Sequence, residues 1–248
     1  MKLTEHCGST PRPPAFDCAS SALFLDFDGT LVDIAPTPDG VHVPPDMGQM
    51  LTALETACDG ALAIVSGRSL HELEAFLTGF DGIMIGSHGS QARGIAPPLQ
   101  RDPDGMEALQ DQLRAFAKDH DLLYEHKSHG GGVHFRHRPE MEPDVKAFVT
   151  QLAADHPAFT VQPAKMAFEL RPDGFSKDGA LRILQSHDAF DGRMPVYLGD
   201  DTTDEPALRY CEDNGGYGVK IGEGDSCARY HLPDPASVLS WLNTGLER

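Results

Sequence analysis

The stretch Ala22–Phe27 constrains the fold most strongly. It is a nearly continuous apolar run broken only by Asp26, and it leads directly into Asp28-Gly29-Thr30. That pattern reads as a strand buried on both faces, which needs cover on each side of its sheet. The segments that follow supply the cover. Met47, Met50, Leu51, Leu54 and Ala57 recur at helical spacing. Ala61–Val65 reads as a second strand and leads into Ser66-Gly67-Arg68. Ser69 with Glu72 three residues on is a capping-box pattern that opens a helix. Ile83–Ile85 reads as a third strand. After a long interval the alternation resumes with a helix over Lys177–Leu184 and a strand, Val196–Leu198, that ends at Gly199-Asp200-Asp201. Val219–Ile221 is expected to be an outer strand and Pro235–Leu242 a closing helix. This order predicts an α/β fold with a doubly wound parallel-sheet, Rossmann-like core over residues 21–98 and 172–248.

Residues 99–171 break the alternation. Helical segments near Met106–Phe116 and Val145–Leu152 accompany four stretches of period-two pattern. Leu122–Lys127 and Val133–His137 flank Gly130-Gly131-Gly132, read as a hairpin turn, and Phe159–Gln162 and Met166–Arg171 form a second pair. The alternation sets Val133 and Phe135 against His134 and Arg136, and Phe168 and Leu170 against Glu169 and Arg171. The expectation is an inserted α+β cap domain, its antiparallel sheet covered by helices on one side and charged on the other. Such a face is either a lid over the active edge or simply solvated. Residues 1–20, with Pro11-Arg12-Pro13-Pro14, read as a flexible or extended arm.

Charge and cysteine usage narrow the function classes. Against 20 Lys and Arg stand 38 Asp and Glu, a net charge of -18 that disfavours nucleic acid and anionic membranes as partners. Cys7, Cys18, Cys58, Cys211 and Cys227 are odd in number and lack a C-x-x-C pair, so reduced thiols and a cytoplasmic location are expected. No apolar run approaches the ~20 residues of a membrane helix, and Met1–Ser20 has no signal-like apolar region.

The polar residues at the strand ends carry chemistry. Asp26 and Asp28 place two carboxylates at alternate positions: one to attack phosphorus, the other to protonate the leaving oxygen and then activate water. Ser66 ends another strand and can hydrogen-bond a phosphoryl oxygen. Lys177 opens a helix, where the helix N-terminus and its ammonium both favour phosphate. Asp200, Asp201 and Asp204 in Gly199–Glu205 form a dense acidic loop that calls for a cation, and an all-oxygen site suits Mg2+. Rival readings are weaker. His126, His129, His134 and His137 match no common zinc spacing. Gly215-Gly216-Tyr217-Gly218 lacks the G-K-[ST] ending of a phosphate-binding loop.

The order D-x-D-G-T-L, S-G-R, Lys, G-D-D-x-T-D-E resembles the haloacid-dehalogenase superfamily. More narrowly, Gly86-Ser87-His88-Gly89, Glu125-x-Lys127 with His134-Phe135-Arg136, Phe168-Glu169-Leu170-Arg171-Pro172, and the full G-D-D-T-T-D-E are similar to the trehalose-6-phosphate phosphatases, over about residues 22–245. The resemblance implies an enzyme of trehalose biosynthesis, a Mg2+-dependent phosphomonoesterase with Asp26 as the phosphorylated residue and Asp28 as acid/base. It implies the metal ligands Asp26, Asp28 through its main-chain carbonyl, and Asp200, with Asp201 and Asp204 holding metal-bound water or Lys177. Ser66 and Lys177 would bind the phosphoryl group, and Arg68, His88, Glu125, Lys127, Arg136 and Glu169 the rest of the substrate. A trehalose-phosphate synthase is the macromolecular partner it suggests. The alternatives are a phosphatase of sucrose 6-phosphate or mannosyl-3-phosphoglycerate, or an inactive regulatory domain. Gln91 stands where relatives commonly carry Glu two positions after the His-Gly pair, and Asp178 where they often have Gly.

Overall fold

A computed structural model describes residues 11–35, 37, 40–95, 104–127, 129–164 and 166–246. The chain divides into two compact units, Met1–Pro97 with Ser176–Arg248, and Pro98–Phe175.

In the larger unit, β1 (Ser21–Leu25), β2 (Leu62–Val65) and β3 (Ile83–Gly86) are buried throughout, as their apolar runs require. Helix α1 (Met47–Ala57) buries Met47, Leu51 and Leu54, and α2 (Leu70–Phe76) opens on the Ser69–Glu72 capping box. The three-residue strand β4 (Gln91–Arg93) pairs antiparallel to β3, an edge element that the sequence pattern did not announce.

The smaller unit comes next in the chain. It contains α3 (Met106–Asp119), β5 (Leu123–Lys127), β6 (Gly130–His134), α4 (Glu142–Asp155), β7 (Phe159–Ala164) and β8 (Ala167–Pro172). The strands form an antiparallel sheet in the order β5-β6-β8-β7. Leu109 and Leu113 of α3, Val145 and Val149 of α4, and Val133, Phe168 and Leu170 of the sheet pack into one core. The three glycines expected to turn the hairpin lie inside β6 instead. Packing explains this: a Cβ on Gly130 would fall 2.0 Å from the Leu170 carbonyl oxygen, and one on Gly131 would fall 3.0 Å from Leu113 and Tyr124. The strand therefore ends earlier than expected, and Arg136 lies in a turn beyond it, exposed.

The larger unit resumes with α5 (Lys177–Gln185), β9 (Met194–Gly199), α6 (Glu205–Asp213), β10 (Tyr217–Ile221), β11 (Tyr230–Leu232) and α7 (Pro235–Leu246). Its sheet runs β11-β10-β9-β1-β2-β3-β4, parallel except for β4. Residues Val219–Ile221, expected as the outer strand, sit one place inward because β11 covers their edge. The winding reverses between β1 and β9: from β1 the chain adds β2 and β3 on one side, and from β9 it adds β10 and β11 on the other. In open α/β sheets the carboxyl ends beside such a switch point are where ligands bind. Asp26 follows β1 and Asp200 follows β9, so both stand there.

Of the expected arm over residues 1–20, residues 1–10 lie outside the described residues, and within residues 11–20 Pro13, Phe16 and Cys18 are buried while the others are exposed. Phe16 is fully buried with its ring against Trp241, and Trp241 Nε1 donates to the Pro14 carbonyl at 2.7 Å. The proline-rich composition excludes regular structure here without excluding burial.

Candidate active site

The site assembles at the carboxyl ends of β9, β1 and β2. Asp26 is 4% exposed and takes a hydrogen bond on Oδ1 from Lys177 Nζ at 2.7 Å. Lys177 is the first residue of α5 after the N-cap Ser176, and its ammonium is equally buried. The same Nζ donates to Asp204 Oδ1 at 2.6 Å. Tyr197 OH, from β9, donates to that Asp204 oxygen at 2.5 Å, and the main-chain N–H groups of Asp200 and Asp201 both donate to Asp204 Oδ2. Asp204 is thus held by four donors and in turn anchors Lys177.

Gly29 brings the other carboxylate in. Its φ of +71° is one a side chain rarely adopts, and a Cβ there would fall 2.1 Å from Asp200 Oδ2. The Asp200 carboxylate therefore rests against bare backbone in the D-x-D-G-T turn. Its main-chain oxygen accepts from Lys220 Nζ of β10, a buried lysine in an otherwise apolar strand.

Electrostatics follow from this crowding. Burial first, then the Asp204 carboxylate, push Asp26 well above the usual carboxylate range, against the opposing pull of Lys177. Burial and the Asp204 and Asp201 charges raise Asp200 to about 6. Burial disfavours the Lys177 ammonium, but Asp26 and Asp204 outweigh it and hold its proton more tightly than usual. Carboxylate oxygens of Asp26, Asp200 and Asp204 lie within 4.8 Å of one another. Because both oxygens of Asp204 are already occupied by donors, Asp26 and Asp200 are the side chains left to receive a cation. An all-carboxylate set with raised proton affinity fits a hard divalent ion such as magnesium. Asp201 turns its side chain to the backbone instead, as the N-cap of the 3₁₀ turn Thr202–Asp204 that accepts from Thr202 N–H.

Asp28 faces Arg68, which donates to it from Nε at 2.6 Å and from Nη2 at 2.7 Å. Ser66 is buried at the end of β2 and its Oγ accepts from the Arg68 N–H. His88 lies alongside: its N–H donates to the Ser66 carbonyl, and a Cβ on Gly67 would touch its ring at 2.7 Å. Ser87 and His88 both adopt positive φ, a pair of strained residues of the kind that gathers at functional sites. Gln91 ties two loops together through its amide oxygen. Its Oε1 accepts from Leu70 N–H at the start of α2 and from Ser87 Oγ–H.

Within the smaller unit, the strand register aligns Glu125, Gly132 and Glu169 in one row across the open face. Lys127 Nζ lies 2.8 Å from Glu169 Oε2, and His134 Nε2 lies 2.8 Å from Glu125 Oε2. The His134 contact, helped by Lys127 and opposed by burial, holds Glu125 below its ordinary range. The expected residues Glu125, Lys127 and Glu169 therefore come together, whereas Arg136 stands apart in its turn. Three of the four histidines take separate partners: His126 meets Tyr124, His134 meets Glu125, and His137 meets the Asp121 carbonyl.

Sequence reasoning missed Tyr197 and Lys220. An aromatic residue in a buried strand gives no signal, but a lone lysine in Tyr217–Ile221 does, since lysine is almost never buried unpaired.

The chain is similar to several known proteins. The trehalose-phosphatase family model matches residues 24–235. The trehalose-6-phosphate phosphatase of Escherichia coli is 35% identical over 244 residues, covering 97% of this chain and 90% of that one. A probable trehalose-phosphate phosphatase of Sinorhizobium fredii is 33% identical over 218 residues, covering 83% and 79%. Among solved structures, the C-terminal domain of Candida albicans trehalose-6-phosphate phosphatase superposes with a TM-score of 0.73 at 21% identity, covering 96% of this chain and 99% of that chain.

Proposed function

The chain belongs to the trehalose-phosphatase family, and from that premise we propose that it hydrolyses trehalose 6-phosphate to trehalose and inorganic phosphate through an aspartyl phosphate on Asp26. The observation that carries the proposal is the buried Asp26–Lys177–Asp204 relay beside Asp200 at the switch point of the sheet.

Lys177 engages Asp26 Oδ1, which leaves Oδ2 as the attacking oxygen. As the bond from Oδ2 to phosphorus forms, the bond from phosphorus to the sugar oxygen breaks, and Asp28 gives that oxygen its proton. Asp28 then takes a proton from water, which displaces Asp26 from phosphorus and restores both carboxyl groups. Ser66 and Lys177 hold phosphoryl oxygens, and Asp204 fixes Lys177 for that purpose. Asp26, the Asp28 main-chain carbonyl and Asp200 would hold magnesium. When bound, the ion neutralises charge between the nucleophile and the phosphate. Glu125, Lys127 and Glu169 recognise sugar hydroxyls, since carboxylates accept from them and ammonium donates to them. None of the described residues forms a helix long and apolar enough to cross a membrane. A cytoplasmic enzyme that takes its substrate from a trehalose-phosphate synthase fits the reading.

The test is phosphate release from trehalose 6-phosphate with magnesium, beside sucrose 6-phosphate and glucose 6-phosphate, with Asp26→Asn as the blank. Rapid release from trehalose 6-phosphate alone is expected. Release only from another ester would keep the mechanism and discard the sugar, and no release from any would favour a regulatory domain.

A further inference from the structure

Arg68 points at a partner that its place in Ser66-Gly67-Arg68 does not suggest. Its Nε–H and Nη2–H meet both oxygens of Asp28, the two-bond fork in which guanidinium and carboxylate fix one another's plane. The guanidinium is itself anchored. It lies 4.9 Å from the centre of the Phe76 ring and 5.7 Å from that of Phe27, and the side chain is 11% exposed. A third nitrogen, Nη1, reaches Glu72 Oε1 at 3.4 Å, and the other oxygen of Glu72 closes the capping box of α2. The chain of contacts runs from the start of a helix, through a guanidinium held over aromatic rings, to the Asp28 carboxylate.

We infer that Arg68 is a positioning residue acting through Asp28, not a group that binds the substrate. The inference rests on the reading of Asp28 as the acid/base. The fork fixes the plane of the Asp28 carboxyl group and so the direction in which its oxygens face. The proton passes from Asp28 to the sugar oxygen and is recovered from water, and Arg68 gains and loses none. Lysine cannot reproduce this, because a single ammonium fixes a position without fixing a plane.

The test is a double-mutant cycle in which kcat and KM are measured for Arg68→Ala, Arg68→Lys, Asp28→Asn and Arg68→Ala/Asp28→Asn. Arg68→Ala should lower kcat roughly 10- to 100-fold, the scale of a misplaced acid/base, with KM within about twofold. Arg68→Lys should recover part of the loss, which also guards against an alanine variant that fails to fold. In the Asp28→Asn background, removing Arg68 should cost less than about twofold. Losses that multiply in the double variant, or a raised KM with kcat unchanged, would overturn the inference and return Arg68 to substrate binding. If the wild type acts only on another ester, the cycle is run on that ester, and the sugar assignment fails while the inference stands or falls on the cycle. A wild type inactive on every ester would remove the role of Asp28 and the inference with it.

Discussion

Replacing Gly29 by alanine separates stability from catalysis. The new Cβ would stand 2.1 Å from Asp200 Oδ2 and 2.3 Å from its Cγ, more than an ångström inside the ~3.5 Å at which non-bonded heavy atoms rest. Asp200 is a short side chain and only partly buried, so it escapes by turning away from Asp26. The backbone cost is modest. A φ of +71° costs an L-residue about 1–2 kcal/mol, and a stiffer unfolded chain offsets about 0.5 kcal/mol of that. The chemical cost is larger, because displacing Asp200 breaks up the carboxylate pair that would receive the ion. Losing that stabilisation of transition-state charge is worth about 3 kcal/mol or more, at least a hundredfold in rate. Phosphate release titrated with magnesium, beside denaturant unfolding of the same samples, reads both quantities. Gly29→Ala should remain folded and lose turnover, and adding it to Asp200→Ala should cost little more. Turnover within tenfold of wild type at an unchanged magnesium midpoint would refute the reasoning.

The other predictions concern charge and sugar. Asp26 and Asp200 hold protons more tightly in the folded chain than the ordinary aspartate value of 3.8. For Asp200 the metal-free chain has that stability in full below 3.8 and loses it as pH rises through about 6. The ion binds the ionised forms, so magnesium should raise Tm more at about pH 7.5 than at about pH 5, and equal shifts would count against these ligands. Excess chelator should stop phosphate release and added magnesium restore it, whereas full release in chelator would remove the metal from the mechanism. Glu169→Ala strips Lys127 of its 2.8 Å partner on the face proposed to recognise sugar. It should slow trehalose 6-phosphate hydrolysis far more than hydrolysis of a small aryl phosphate, and equal losses would mean that Glu169 does not touch sugar.

Local pattern carried the core because each of its signals is local. A buried strand that ends in Asp26, another that ends in Asp200, and a lysine opening α5 are readable one segment at a time, and the sheet then brings them together. The features that escaped depend on contacts between distant segments. The edge strands β4 and β11 are too short to show a period. Gly130-Gly131-Gly132 carries turn composition, yet it lies in a strand, where Leu170 crowds Gly130 and Leu113 crowds Gly131. Arg68 and Asp28 are 40 residues apart, and neither predicts the other's orientation. Phe16 and Pro14 reach α7 across more than 200 residues, which no reading of a proline-rich stretch discloses.

A net charge of -18 sets an anionic substrate against the field of the whole molecule, and the site does not reverse it unaided. Lys177 is divided between Asp26 and Asp204, Arg68 is engaged by Asp28, and Lys220 is spent on a main-chain oxygen of Asp200. These cations hold carboxylates in place and leave little uncommitted positive charge for a phosphate dianion. Burial above all, with the neighbouring carboxylates, raises the proton affinities of Asp26 and Asp200, which deepens the shortage of compensating charge. In the proposed mechanism a protonated Asp26 would be no nucleophile, so a cation that leaves the carboxylate ionised fits the reading where protons do not. The metal ion would therefore offset the phosphate charge in that mechanism, while Lys177, tied to Asp26 and Asp204, both positions the nucleophile and reaches a phosphoryl oxygen.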